Sequence, residues 1–389
     1  MRYWLMGLML LSTTSVIAQG GAMDKMQGKA LSDLGALFDA RMDALKVVGG
    51  SFGVVKDGKV VFTRSYGYAD REQNRKTDEG SLYVWGSNTK LFTTIAIMQL
   101  RDHGKLSLDD PLVKFIPTFR NVNNPFNNTD QITLRQLMSH SSGLQNGSFP
   151  LPLSWHKPWP SWAQLEPLFP YRTVEYQPGT KYQYSNLGLL LLGKVIEIVT
   201  NEDYEVYIDK NILKPLKMYQ TYYDTTPYHL LPQKAQGYYA HEDGKPRQLY
   251  HPDIDQGVTS SNGGLKAPIT DFAKFAAFVI GGSDPVYDVV LKRSSLEEMF
   301  QEVLPIGKDE GPGDAICLGF HKRKEGLQFT MWGHTGSANG FRSEFDYNPD
   351  TRTAFFMVVN TENGEEAFAE LRKDMDTTVL PLWKPMVKR

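Results

Sequence analysis

The 389-residue sequence predicts an α+β fold, in which an antiparallel sheet is flanked by terminal helices and accompanied by a mainly helical domain. Strand-like runs occur near both ends of the chain. One helical pattern precedes the first of these runs and another follows the last. Between the ends, helical patterns alternate with loops rich in proline, asparagine and tryptophan. A sheet built from both chain ends would give each terminal helix a surface on which to bury its apolar face.

The amino-terminal part predicts one helix and a hairpin. Apolar residues recur at three- and four-residue steps from Met26 to Leu45, which is typical of a helix with one buried face. The runs Gly50–Val55 and Val60–Tyr66 are rich in residues that favour strands. Asp57-Gly58 stands between them, and this pair is typical of a tight hairpin.

The carboxy-terminal part predicts three more strands, at Phe329–His334, Gly340–Tyr347 and Thr353–Asn360, and then a helix over Glu365–Leu380. We therefore expect residues 19–92 and 266–389 to form the domain that contains the sheet. Residues 93–265 are expected to form the mainly helical domain, with a functional site between the two.

The first residues have the pattern of a secretory signal peptide. A single charge, Arg2, precedes an apolar run from Tyr3 to Leu11, and residues up to Ala18 complete the segment. The apolar run is far shorter than the roughly 20 residues that a membrane-spanning helix needs. We expect residues 1–18 to be cleaved off, without stable membrane insertion of the mature protein, and a periplasmic or secreted location.

The composition excludes several classes of function. The formal charge is −2, from 42 basic and 44 acidic residues, which argues against a nucleic-acid partner. The lone cysteine, Cys317, lies in an apolar stretch and is expected to be a buried structural thiol. The eight histidines form no metal-binding motif, so we predict neither a metal nor a cofactor. No pattern indicates the oligomeric state.

The tetrapeptide Ser87–Lys90 has the spacing Ser-x-x-Lys and opens an apolar segment that predicts a buried helix over Leu91–Leu100, ending near Gly104. One helical turn would place the Ser87 hydroxyl and the Lys90 amine on the same face. Serine needs a neighbouring base to become a nucleophile, and lysine can serve once burial lowers its pKa. Ser87 and Lys90 are therefore the candidate nucleophile and base.

A second Ser-x-x-Lys copy, from Ser154 to Lys157, shows that this spacing alone is weak evidence. Prolines between Pro150 and Pro160 surround it and should prevent a regular helix, so we expect a loop there. Taken alone, even the Ser87 copy fits an ordinary helix N-cap serine followed by a surface lysine.

Tyr184-Ser185-Asn186 occurs once, between the turn Gln177–Thr180 and an apolar helix predicted over Leu187–Val199. A tyrosine hydroxyl there could pass a proton to a leaving group. The Asn186 amide could bind both Lys90 and a substrate carbonyl. The alternative is a loop tyrosine followed by an N-capping asparagine.

His334-Thr335-Gly336 also occurs once, at the end of a predicted strand. An edge strand at this point could line a substrate site, with Gly336 allowing close approach to the backbone. The Ser337 N–H could then join the N–H of Ser87 in an oxyanion hole. Taken alone, His334 fits a buried histidine at a strand end.

Together these motifs resemble those of the penicillin-binding and class C β-lactamase type of serine hydrolase, which includes DD-carboxypeptidases, related esterases and D-aminopeptidases. The order Ser-x-x-Lys, Tyr-x-Asn and His/Lys-Thr-Gly is the family's own. Similarity extends from about residue 50 to about residue 360, through segments Asp102–Pro111, Ile132–Leu144, Pro178–Gly193 and Gly263–Asp271.

The resemblance implies a β-lactamase/DD-peptidase-like fold with the active site between the two domains. It also implies a covalent acyl-enzyme on Ser87, proton transfer shared by Lys90 and Tyr184, and release of the acyl group to water. The expected substrates are a small ester, a D-amino-acid peptide or a β-lactam-like molecule.

His334 departs from the lysine that β-lactamases usually carry at this point. Lysine would offer a permanent charge to the carboxylate of a β-lactam, whereas histidine is largely neutral at pH 7. This difference favours an esterase or a DD-carboxypeptidase-like enzyme over a β-lactamase. An acyltransferase that uses the same acyl-enzyme and a non-catalytic penicillin-binding-like protein are the alternatives.

Overall fold

The computed structural model describes residues 25–126, 129–144, 161–239, 245–248, 256–306 and 313–383. The predicted signal peptide and the second Ser-x-x-Lys copy at Ser154 lie outside the described residues. No helix within these ranges is long and apolar enough to cross a membrane.

In the described chain two long strands come first, eight strands of two or three residues follow, and three long strands come last. They are β1 (Gly49–Lys56), β2 (Lys59–Asp70), β3 (Arg75–Lys76), β4 (Leu82–Val84), β5 (Tyr238–Tyr239), β6 (Arg247–Gln248), β7 (Lys266–Pro268), β8 (Leu304–Pro305), β9 (Ala315–Ile316), β10 (His321–Arg323), β11 (Met331–Ala338), β12 (Phe341–Asn348) and β13 (Thr353–Val359).

The α-helices lie before, between and after these strands. They are α1 (Lys25–Ala44), α2 (Thr89–Asp102), α3 (Leu134–Met138), α4 (Trp162–Leu165), α5 (Asn186–Thr200), α6 (Tyr204–Ile208), α7 (Ser260–Gly263), α8 (Ile269–Ile280), α9 (Val286–Val290), α10 (Arg293–Met299), α11 (Glu366–Asp374) and α12 (Leu380–Trp383). A 3₁₀ turn, Gly86–Asn88, precedes α2, and a π-helical turn, Met375–Val379, joins α11 to α12.

Strands from both chain ends form one nine-stranded sheet in the order β3-β2-β1-β13-β12-β11-β10-β9-β8. Every pairing in it is antiparallel, and β1 and β13 join the two ends with Gly50 opposite Val359 and Lys56 opposite Thr353. The α+β prediction with one antiparallel sheet is therefore confirmed.

The strand predicted from Phe329 to His334 is shifted towards the carboxyl end in the structure, where β11 runs from Met331 to Ala338. The N–H groups of Gln328 and Phe329 donate to the Asp376 carboxylate at 2.7 and 2.8 Å, so they do not enter the ladder. At the other end, pairing with β12 continues until Ala338 stands opposite Phe341. The shift brings the whole His334–Ser337 segment into the sheet.

The sheet buries both of its faces, as alternation along β13 shows. Phe355, Met357 and Val359 pack in the cluster that contains residues of α1 and α11, and Ala354, Phe356 and Val358 pack in the other. Successive strand residues point to opposite faces, so one strand can serve two cores. The predicted packing of both terminal helices on the sheet is confirmed.

Helix α2 lies in the second core. All its residues from Thr89 to Leu100 are buried, and the Phe92 ring stacks on Phe275 of α8 with centroids 4.3 Å apart. This agrees with the predicted buried helix. The proposed domain boundary after Phe92 falls inside α2, and the boundary before Lys266 falls at the start of β7. A helix surrounded by apolar side chains on all sides gives Lys90 its low-dielectric setting.

Cys317 is buried, and its thiol donates to the Phe300 carbonyl at 3.3 Å. Burial raises the pKa of this thiol to about 12. The thiolate is the reactive form of cysteine, so the structure agrees with the prediction of a structural thiol.

Candidate active site

Ser87 and Lys90 meet at the amino-terminal end of α2. Ser87 lies in the 3₁₀ turn before the helix, and Lys90 Nζ is 2.9 Å from Ser87 Oγ. Lys90 is fully buried, and burial holds its pKa well below the ordinary value. A neutral amine beside a hydroxyl can accept its proton.

The Asn262 carbonyl completes the surroundings of the Lys90 amine. It accepts from Nζ at 2.6 Å, and it belongs to the short helix α7. Sequence analysis missed this contact because a main-chain oxygen leaves no side-chain signal. Two polar neighbours, Ser87 and Asn262, therefore orient the amine without adding a negative charge that would raise its pKa.

Tyr184 lies on the other side of Ser87. Its hydroxyl is hydrogen-bonded to Ser87, and its ring centroid is 5.1 Å from Lys90 Nζ. Burial raises the pKa of Tyr184 above its usual value, although the Ser87 contact opposes the shift. Tyr184 thus carries its proton at neutral pH, and the three side chains form a continuous path for proton movement.

The turn after Tyr184 begins helix α5. Ser185 is the N-cap and accepts from the Gly188 N–H at 3.2 Å, which corrects the alternative of an N-capping asparagine. Asn186 is the first helical residue and is exposed at the cavity. Its carbonyl accepts from the Asn262 side-chain amide at 3.4 Å. The role of the Asn186 amide in substrate binding stays a prediction.

Strand β11 presents an edge to this site. Strand β10 pairs with β11 only from Met331 to Gly333, so within the described strands His334–Ala338 pairs with β12 alone. Thr335 and Ser337 are exposed there, whereas His334 is buried. β11 lies between β12 and β10, so the prediction of an edge strand holds only for its second half, beside the site.

The His334 ring is neutral. Its Nδ1 lies 2.5 Å from the Thr335 carbonyl oxygen, and a carbonyl only accepts, so Nδ1 carries the proton. Burial holds the pKa of His334 well below the ordinary value, and His321 and Lys90 lower it further. This position therefore offers no permanent charge to a substrate.

The turn that carries Ser87 packs directly against Ser337. Gly86 has φ +51°, and a Cβ built on it would lie 2.7 Å from the Ser337 nitrogen. Only glycine accommodates both the positive φ and the short approach. The main chains of Ser87 and Ser337, the predicted oxyanion-hole residues, therefore lie side by side.

Position 336 must be glycine because neighbouring protein atoms leave no room for a side chain. A Cβ at this position would lie 2.0 Å from the Trp85 carbonyl oxygen and 2.4 Å from Ser343 Oγ. The sequence interpretation assigned this glycine to close approach of substrate, and the structure adds a packing reason that was not foreseen. Backbone-to-backbone contact at this point holds β11 against the turn that carries Ser87.

Replacement of Gly336 by alanine is expected to destabilise the protein by about 3 kcal/mol, because the rigid Trp85 carbonyl cannot move aside. Urea unfolding of both proteins measures this difference. Gly263→Ala is the matched control, since a Cβ there meets nothing within 4 Å. It should change the free energy of unfolding by less than about 0.5 kcal/mol. Equal effects of the two substitutions would contradict the packing argument.

A cavity of about 700 Å³ joins the predicted site residues. Its lining includes Ser87, Tyr184, Asn186, His334, Thr335, Gly336 and Ser337. Lys90 lies buried behind Ser87. A volume of this size is within the range of small-molecule sites in proteins. The fold thus gathers residues from three distant parts of the chain around one cavity.

The far wall of the cavity is charged. Arg372 on α11 donates to Glu344 at 2.7 Å and to Asp346 at 3.2 Å, and Arg323 also pairs with Asp346. Burial raises the pKa of Glu344, but Arg372, the hydrogen bond with Asp346 and Arg323 together outweigh it, and the net shift is downward. Burial raises the pKa of Asp346 against the pull of Arg323. We call these four side chains the charge network.

Several histidines that sequence analysis did not single out line or support the site. His321 on β10 lies 5.0 Å from His334 between ring centroids, and its Nε2 is 3.0 Å from the Tyr182 hydroxyl. Burial, Arg323 and Lys90 lower the pKa of His321 to about 3. His140 stacks on Tyr184 from another direction. Their spacing in the sequence is irregular, so only the fold reveals the cluster.

Comparisons with known proteins find relatives that match part of this chain. "Protein flp" of Staphylococcus aureus strain MW2 is 34% identical over 182 residues, which cover 47% of this chain and 36% of that protein. "Putative D-alanyl-D-alanine carboxypeptidase" of Escherichia coli strain K12 is 29% identical over 187 residues, covering 44% and 42%. The match thus spans less than half the length of either relative.

Solved structures extend the similarity to nearly the whole chain. The octameric penicillin-binding protein homologue from Pyrococcus abyssi superposes with a TM-score of 0.72 and 26% identity, over 92% of this chain and 79% of that one. The predicted β-lactamase/DD-peptidase-like fold is confirmed. The family model described as Beta-lactamase matches residues 34–378, so this chain belongs to the Beta-lactamase family.

Proposed function

We propose that the protein is a serine acyl hydrolase, which forms an acyl-enzyme on Ser87 and releases the acyl group of an ester or amide to water. The observation that carries the proposal is the fully buried Lys90 amine 2.9 Å from Ser87 Oγ. A buried neutral lysine beside a serine supplies the base that serine lacks.

Acylation proceeds by attack of Ser87 Oγ on the substrate carbonyl while Lys90 Nζ takes the hydroxyl proton. The oxyanion accepts hydrogen bonds from the N–H groups of Ser87 and Ser337. As the tetrahedral intermediate collapses, the Tyr184 hydroxyl gives its proton to the leaving alcohol or amine. Tyr184 then regains a proton from the neighbouring Lys90 ammonium, since the acylated Ser87 Oγ has no proton to relay.

Deacylation reverses these roles. A water molecule attacks the ester carbonyl of the acyl-enzyme and gives its proton to the Lys90 and Tyr184 pair. Collapse of the second intermediate breaks the bond to Ser87 Oγ, which recovers a proton as the acid leaves. Each group ends the cycle in the state in which it began.

The neutral His334 ring argues against strong β-lactamase activity, because it gives no fixed charge to the carboxylate of a β-lactam. The printed name of the Escherichia coli relative supports testing a D-alanyl-D-alanine peptide beside an ester. Transfer of the acyl group to an added alcohol would identify the acyltransferase alternative.

The proposal is tested by acid-quenched intact-mass measurements with p-nitrophenyl acetate, benzylpenicillin and an acetylated D-alanyl-D-alanine peptide. We expect a mass gain equal to the acyl group that disappears in Ser87→Ala. The lifetime of the adduct formed with each compound ranks the ester, the peptide and the β-lactam by how fast the enzyme turns them over. An adduct that persists in Ser87→Ala would overturn the nucleophile. Absence of any adduct or turnover would favour the non-catalytic alternative.

Export to the periplasm or the medium is part of the proposal. The charged start, apolar run and small residues before Gln19 support it. The same mass measurement on protein recovered from those fractions tests cleavage after Ala18.

A further inference from the structure

His140 makes several contacts around Tyr184 that the reaction scheme does not use. Its main-chain carbonyl accepts from the Gln183 N–H at 2.8 Å, and its Nδ1 accepts from the Ser185 N–H at 3.0 Å. Its ring faces the Tyr184 ring with centroids 4.5 Å apart and an interplanar angle of 30°. One residue thus holds the peptide groups on both sides of Tyr184 and one face of its ring.

The backbone of His140 adopts an unusual conformation that makes these contacts possible. Its φ is +51°, in the left-handed region, and it follows the carboxyl end of α3. A residue other than glycine adopts this conformation only when the surrounding structure imposes it. Tyr176 also donates to the His140 carbonyl, at 3.3 Å. The surrounding contacts therefore hold His140 with its carbonyl and its ring directed at the Tyr184 segment.

The protonation state of His140 follows from its partner. A backbone N–H only donates, so Nδ1 must be unprotonated and the ring proton lies on Nε2. Burial holds the pKa of His140 well below its ordinary value, and His321 and Lys90 lower it further. The hydrogen bond to Ser185 therefore persists at neutral pH.

We infer that His140 is a positioning residue, which places the Tyr184 hydroxyl on Ser87 by binding the Gln183 and Ser185 peptide groups and stacking on the Tyr184 ring. The inference rests on the proposed function, in which Tyr184 moves a proton. His140 is not placed among the groups that touch the reacting atoms. Its effect reaches Ser87 only through Tyr184.

The consequence of losing this support is kinetic. The Tyr184 hydroxyl must stay within hydrogen-bond distance of Ser87, and a displacement of about 1 Å at such a group can cost about 100-fold in rate. Other residues, including Thr335 and Asn186, line the cavity in which we propose that the substrate binds. We therefore expect kcat to fall while KM changes little.

Two substitutions separate the contacts of the His140 side chain. His140→Phe keeps a ring and loses the acceptor for Ser185, and it should lower kcat for p-nitrophenyl acetate about 10- to 100-fold. His140→Asn places an amide oxygen near the position of Nδ1, and asparagine tolerates positive φ. It should restore most of the lost kcat. Recovery by asparagine would not follow from a general packing role.

A double-mutant cycle tests whether His140 acts through Tyr184. In a Tyr184→Phe background, His140→Phe should lower the remaining kcat less than about 3-fold, because the group that it positions is already absent. If His140→Phe does not fold, His140→Gly replaces it, since glycine adopts φ +51° without strain. Circular dichroism and thermal unfolding check each variant.

The outcomes distinguish the inference from the function on which it rests. Equal losses of kcat in both backgrounds would overturn the inference and leave the serine mechanism intact. Hydrolysis by Ser87→Ala at the rate of the wild-type protein would overturn the proposed function. The inference would then fail with it.

Discussion

Replacement of Lys90 by methionine is expected to lower the rate of Ser87 acylation by about 10³- to 10⁴-fold, the upper part of the range for loss of a general base. Methionine has nearly the same shape, so the cavity should remain. The reason is chemical: the amine 2.9 Å from Ser87 Oγ is the group that takes the hydroxyl proton in the proposed mechanism. Stopped-flow kinetics with p-nitrophenyl acetate measures the acylation rate.

Lys266→Met is the matched control for this experiment. Lys266 is also buried, and its amine donates to the carbonyls of Tyr223 and Asp224 at 3.1 and 2.7 Å. Removing it takes no base from Ser87, so acylation should change less than about 3-fold. Similar losses of acylation rate in Lys90→Met and Lys266→Met would contradict the role of Lys90.

The pH dependence of stability independently tests whether the pKa of the Lys90 amine is lowered in the folded protein. Burial lowers its pKa in the folded state from 10.5, so between the two pKa values the unfolded chain binds one more proton. Stability therefore rises with pH across that window, by at most about 1.4 kcal/mol per pH unit. Lys90→Met removes this dependence. Urea unfolding from pH 7 to 9 should show the wild type gaining stability relative to the variant.

Replacement of Arg372 by methionine is expected to destabilise the protein by about 3–5 kcal/mol, the usual cost of removing one member of a buried ion pair. Glu344 and Asp346 are both fully buried, and Arg372 bonds to each of them. Without it, Arg323 alone faces two carboxyl groups. Urea unfolding at pH 8 measures the loss.

Arg352→Met is the control for the charge network. Arg352 pairs with Asp57 at 2.9 Å, but the two side chains are 46% and 52% exposed. An exposed ion pair contributes less than about 1 kcal/mol, so this substitution should have little effect. A loss of similar size in both variants would show that Arg372 does not compensate buried charge.

The effect of Arg372→Met should also depend on pH. Arg372 lowers the pKa of Glu344 and of Asp346, so its removal raises both and lets the folded variant bind protons more readily. Protonation neutralises the buried carboxylate charge that Arg372 no longer balances. The difference in unfolding free energy from wild type should therefore be smaller at pH 5 than at pH 8. A difference that grows on acidification would contradict this account.

Local periodicity in the sequence predicted the bounds of several helices closely. The helix expected over Met26–Leu45 runs from Lys25 to Ala44, and the helix expected over Leu187–Val199 runs from Asn186 to Thr200. Periodic burial and turn residues act over a few residues, so they are readable in the chain. The expected helix over Glu365–Leu380 is instead divided by the π-helical turn Met375–Val379. Asp376 in that turn binds the segment before β11, a long-range contact that the periodicity did not indicate.

The contacts of the candidate site also fall into two groups: those that local sequence predicts and those that only the fold shows. Helix geometry alone places Ser87 beside Lys90, because residues three apart share a face. The Asn262 carbonyl and the His140 ring reach the site across many residues of sequence, and nothing in their local sequence indicates the contact.

The sequence by itself determined the α+β class, the helix that carries Ser87 and Lys90, and the order of three motifs, because these depend on periodicity and spacing along the chain. Only the tertiary structure showed that Lys90 is fully buried and that Nδ1 of His334 carries the ring proton. It also decided the packing need for Gly336 and the contacts of His140. Desolvation and close approach depend on which distant segments surround a group, and folding alone brings those segments together.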